Sequence, residues 1–123
     1  MQFVRSNGYL TVIRITGPKH NLLGLRIGEP VTSRPVCERL PPVGCCKHGE
    51  LDEEHLVDAV LEGVEAANAE LGAAYRVSHV RYVEDDSPPV RTYTLLAYRV
   101  VRHLHAGGVF VDGVQAAGVP QVD

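Results

Sequence analysis

Residues 52–72 constrain the chain more than any other stretch. Leu56, Val57, Val60, Leu61, Val64, Ala67 and Leu71 recur at the three- and four-residue spacing of one helix face. Asp52 stands where an N-cap belongs, Glu53 and Glu54 suit the positive end of the helix dipole, and Gly72 is a natural stop. A helix with one apolar stripe must cover something. A second stripe follows in Tyr93, Leu96, Ala97, Val100 and Leu104, in a helix that starts near Thr92, with Ser87 or Thr92 as its cap, and ends at Gly107-Gly108.

The remaining apolar segments have strand character. YLTVIRI at 9–15 is rich in β-formers, Gly17-Pro18 punctuates a turn, and 22–27 follows as a second strand, so 9–27 is a predicted hairpin. Residues 28–50 hold four prolines and read as extended or looped, with a short edge strand over 31–37. Residues 75–83 form another strand, in which Val80 and Tyr82 favour one inward face and Val77 and Val83 the other. Residues 109–111 form a last one. The order predicts an α+β fold: a four-stranded, mostly antiparallel sheet with two helices on one face. At 123 residues the chain is one domain, expected over 1–113 with a flexible tail at 114–123.

Charge is unevenly distributed. The net charge is −3, unlike a dedicated nucleic-acid binder. Yet residues 1–47 hold seven basic and two acidic side chains, 48–70 hold eight carboxylates and no Lys or Arg, and 71–105 hold five arginines and three acids. No apolar run reaches the roughly 18 residues of a membrane span, and the opening residues do not show the charged-then-apolar pattern expected of a signal peptide. Three cysteines, two of them adjacent, do not make a secreted disulfide framework, so a cytoplasmic location is expected.

Several residues are candidates for chemistry. GCCKHGE at 44–50 concentrates Cys45, Cys46, His48 and Glu50 ahead of a helix N-terminus, a setting that can lower a thiol pKa. The spacing does not match a structural zinc site, and neither a metal nor a cofactor is expected. His79 and Arg81 share one side of a strand, where they can line a polar pocket or simply face water. Arg91, Arg99 and Arg102 can add a basic stripe near the second helix, or Arg99 and Arg102, three positions apart, simply face water. Glu84, Asp85 and Asp86 lack cation-loop spacing. Of the aromatic residues, Tyr9, Tyr75 and Tyr82 are the candidates for stacking a base, and each is equally a candidate core residue.

Four stretches together resemble domain IV of translation elongation factor G, a ribosomal protein S5 domain 2-like fold: GYLTVIRITGP at 8–18, LVDAVLEGVEAANAELG at 56–72, YRVSHVRYVEDDS at 75–87, and TYTLLAYRVVRHLHAGG with VFV at 92–111. The resemblance covers about residues 8–113 and is one of order and pattern. It implies a non-enzymatic module that binds RNA, the ribosome or another protein. The family's serine-tyrosine-histidine loop is replaced here by Ser87, Pro88, Pro89 and Val90, and there is no P-loop. No functional residue carries over. The candidate binding residues are His79, Arg81 and Arg91. The alternative is a small-molecule-binding protein or small enzyme with its site around Cys45, Cys46, His48 and Glu50. The β-rich hairpin edge makes a homodimer the self-association to look for.

Overall fold

The computed structural model describes residues 2–16, 19–28, 34–40, 52–83 and 91–112. Its elements are β1 (Gln2–Ser6), β2 (Tyr9–Thr16), β3 (Lys19–Ile27), β4 (Val36–Leu40), α1 (Glu53–Leu71), β5 (Val77–Val83), α2 (Thr92–His105) and β6 (Val111–Asp112). They form an α+β fold with one mixed sheet in the order β4-β5-β3-β2-β1-β6. The β1/β2, β2/β3 and β3/β5 junctions are antiparallel, while β4/β5 and β1/β6 are parallel.

Six strands are thus present among the described residues where four are expected. The strand missed at the N-terminus is β1. Its Gln2–Ser6 segment is short and only half buried, so its apolar pattern is weak. Asn7 and Gly8 turn it into β2 at φ 54° and 81°, the positive values that a two-residue hairpin of this kind requires. The edge strand expected over 31–37 begins instead at Val36, directly after Pro35, which has no N–H to give a ladder. The last strand lies at 111–112 rather than 109–111.

The helix boundaries follow their caps. Asp52 accepts a hydrogen bond from the His55 N–H at 3.2 Å, and Gly72 closes α1 at φ 65°. At the end of α2, the Gly108 N–H reaches the His103 carbonyl at 2.8 Å and the Gly107 N–H reaches Leu104 at 3.1 Å, the paired bonds of a Schellman stop. Thr92 is the first residue of α2 rather than its cap; Arg91 precedes it without a side-chain cap bond.

Both helices cover the same face of the sheet. Val12, Leu23, Leu25, Val80 and Tyr82 point into this layer and meet Leu56, Val60 and Val64 of α1 and Tyr93, Leu96 and Val100 of α2, all at most 3% exposed. Each such side chain contributes roughly 1.5–3 kcal/mol by leaving water. β5 carries a bulge at Ser78: Arg26 pairs with His79 but Ile27 pairs with Val77. The extra residue returns Val77 to the helix side, so Val77 and Val83 lie on opposite faces although strict alternation would join them.

The helices touch through backbone. A Cβ at Gly63 would stand 2.1 Å from the Thr94 carbonyl oxygen, and the Thr94 hydroxyl donates to the Ala59 carbonyl at 2.9 Å. Gly63→Ala is therefore expected to destabilise the protein by about 3 kcal/mol. Gly72→Ala, with nothing within 4 Å, is expected to cost only about 1 kcal/mol of left-handed strain. Urea unfolding of both variants measures the difference, and equal losses would refute the backbone-contact account.

Candidate functional site

His79 and Arg81 share a face, the one that carries no helix among the described residues. Cross-strand pairing places Val111, Val4, Thr11, Gly24, Arg81 and Glu38 in one row across all six strands. The neighbouring row contains Ser6 opposite Tyr9, and Arg26 opposite His79 and then Val36. Tyr9 is 2% exposed although no helix of the described residues covers it. Two guanidinium groups do so instead: the Cζ of Arg81 is 4.2 Å and that of Arg26 4.7 Å from its ring centroid. His79 meets the ring edge-on at 6.4 Å. Gly24 supplies the room, because a Cβ there would stand 3.3 Å from that of Tyr9.

Arg81 is held on its other side by Glu38, with Nε and Nη2 donating to Oε1 at 3.3 and 3.2 Å. Arg26 donates from Nη2 to the Asn7 carbonyl at 2.9 Å. The His79 ring is 2.9 Å from the Ser78 hydroxyl, which also donates to the Arg26 carbonyl. Burial pushes the Tyr9 phenol above its usual pKa; the charge of Glu38 and a hydrogen bond to it add to the rise, and the two arginines oppose it. Arg91 does not join this set. It is exposed at the start of α2, beside Glu62, Thr94 and Tyr98 in the helix layer.

Cys45, Cys46, His48 and Glu50 lie outside the described residues, as do the 84–86 carboxylates. Among the described residues no three His, Cys, Asp or Glu side chains are grouped to hold a metal, and no helix is long and apolar enough to cross a membrane. Tyr82, a stacking candidate, is fully buried and donates to Glu53 at 2.7 Å. Burial, followed by that bond and the charge of Glu53, holds its pKa well above normal. Cys37 shares this carboxylate. Burial first, then Glu53, push its thiol up to about 11 against the pull of Arg34. Tyr75 is half buried, its hydroxyl 2.9 Å from His105 and its backbone pinned by Asn68.

A second surface escapes sequence reasoning. Phe3 of β1 stacks on His103 of α2, with centroids 3.9 Å apart and planes 4° from parallel. Phe110 stands edge-on to both rings. His103 Nε2–H donates to the Val109 carbonyl at 2.7 Å, and only glycine fits at 108, where a Cβ would meet the ring at 2.4 Å. Arg99 and Arg102 border a recess of about 310 Å³ against the Phe3–His103 stack. Arg5 lies 5.9 Å from the Phe110 centroid. Arg102 donates to the Tyr98 hydroxyl and stands 3.7 Å from Glu70. The pairing joins residues 100 positions apart, so no local spacing announces it. No family model, curated protein or solved structure matches the chain.

The Cys37 environment sets a pH dependence. A raised pKa means that the folded chain keeps its proton where the unfolded chain has lost it. This contribution is therefore complete below about 9 and lost as pH rises towards about 11. Urea midpoints measured across that window are expected to fall more steeply for the native chain than for Cys37→Ala. Parallel profiles would remove Cys37 from the account.

Proposed function

We propose that the chain is a non-enzymatic module that binds RNA through the surface formed by β1 and the C-terminal half of α2. The observation that carries this reading is the Phe3–His103 stack bordered by Arg99 and Arg102. Single-stranded nucleic acid is held by aromatic faces interleaved with cations. Here the aromatic stack is pre-ordered by the Val109 hydrogen bond, and Arg99 has no carboxylate partner among the described residues. The resemblance to elongation factor G domain IV supports a ribosomal setting for such binding. A protein partner remains the competing reading of the same surface.

Fluorescence anisotropy with a labelled RNA hairpin carrying a single-stranded loop tests the proposal. Binding at 50 mM salt is expected to weaken linearly with log salt. Arg99→Ala and Arg102→Ala are each expected to lower the salt slope by about one. Phe3→Leu is expected to reduce affinity about tenfold, the lower end of what one stacked base contributes. No binding at low salt would eliminate RNA in favour of a protein partner.

A further inference from the structure

β2 and β3 each pair on both sides within the sheet, so the 9–27 hairpin offers no free edge for self-association. The outer face of the helix layer is self-complementary instead. Glu62, Glu65 and Ala66 are exposed along α1, and Arg91, Leu95 and Arg99 along α2. Leu95 is 44% exposed. It lies in a shallow recess of about 380 Å³ between the helices, with Ala66, Tyr98, Glu62 and Arg91 around it. Glu62 and Arg91 border the same recess, yet neither has an ion-pair partner among the described residues. The two helices run in the same direction. Thr94 meets Ala59 and Gly63, and further along Glu70 meets Tyr98 and Arg102.

We infer that this face binds a second copy of the chain as an isologous dimer, separate from the RNA surface. Charge selects the occupant. RNA would meet the carboxylates of α1, and a wholly basic or wholly acidic protein would match one helix only. A second copy matches both. Charge also selects the symmetry axis. A two-fold axis across the helices would lay α1 on α1 and α2 on α2, like charge on like. An axis along the helices lays α1 on the partner's α2 at the same level. Thr94 is level with residues 59–63 of α1, so Arg91 comes within about one turn of the partner's Glu62. Leu95, at the seam, comes beside the axis and covers the partner's Ala66. The shared length is that of the 14-residue α2, about 21 Å, and two packed helices span about 20 Å. The contact is therefore on the order of 800 Å² for both copies together, below the roughly 1,200 Å² of a stable complex. The dimer is a weak one that forms as concentration rises.

Sedimentation velocity of the full chain between 5 and 500 μM, at low and high salt, tests the inference. The average mass is expected to rise from one copy towards two, with association at least threefold weaker at high salt, where exposed charges are screened. Glu62→Arg and Arg91→Glu are each expected to weaken association at least fivefold, and the double variant to return to within twofold of the native chain. Leu95→Ser is expected to weaken it at least fivefold without changing the thermal midpoint of the dilute protein. A native chain that stays monomeric throughout would overturn the inference, as would a dimer indifferent to Leu95→Ser and Glu62→Arg. A double variant no better than the single ones would overturn the Arg91–Glu62 pairing and with it the axis. RNA affinity at concentrations where the chain is monomeric is expected to be unchanged in Leu95→Ser, so this inference and the RNA reading fail independently.

Discussion

The contact between Gly63 and the Thr94 carbonyl determines what the rest of the molecule can be. Where the two helices cross, a side chain even as small as alanine has no space, so α1 and α2 press together as one thin layer. Both then fit over the same sheet face, and their apolar stripes close on the row formed by Val12, Leu23 and Tyr82. The consequence appears on the opposite side. With α1 and α2 both on one face, the other buries Tyr9 by laying Arg26 and Arg81 over its ring. A desolvated cation on an aromatic face is worth roughly 2 kcal/mol, which makes arginine a workable lid where no helix is available.

Gly24 plays on the helix-free face the part that Gly63 plays between the helices. Each is a position where a missing Cβ lets neighbouring groups close in, and each is flanked by a threonine, Thr11 or Thr94. The threonines differ in outcome. The Thr94 hydroxyl finds the Ala59 carbonyl and locks the helix crossing. The Thr11 hydroxyl finds nothing. Buried hydroxyls without partners are uncommon because desolvation costs about 1–3 kcal/mol. The fold satisfies Thr94 but leaves Thr11 Oγ1 and Arg26 Nε buried without a partner among the described residues, both on the sheet face away from α1 and α2.

The sequence made the helices legible because their signals are local. The Asp52 cap, the seven-residue stripe and Gly72 all act within about twenty positions. The inward face of Val80 and Tyr82, and the shared face of His79 and Arg81, follow from alternation alone. What escaped depends on distance. The bulge at Ser78, which reverses Val77, arises from pairing with β3, fifty residues earlier. β1 has too few buried residues to show a pattern, although its Asn7-Gly8 turn is a strong local cue. The Phe3–His103 stack and the Arg26–Tyr9–Arg81 sandwich exist only once β1 and β5 have found their places in the sheet order. Sequence cannot tell that Arg91 lies at the start of α2 in the helix layer, away from the sheet face that His79 and Arg81 share.

The acidic net charge and a locally basic surface on α2 are compatible because the charges are segregated by element. α1 carries six carboxylates and no Lys or Arg, whereas α2 carries arginines and no carboxylate. Packed helices lie 8–10 Å apart, about one Debye length at physiological salt, so the outer acidic face of α1 is largely screened from the far side of α2. Glu70 beside Arg102 marks the seam. Part of the basic character of α2 has a structural explanation, since Arg102, His103 and His105 fall in its last turn and complement the helix dipole. That explanation does not extend to Arg99, which precedes the last turn, or to Arg5, which belongs to β1. These two arginines flank the aromatic cluster from different elements, and helix stability accounts for neither.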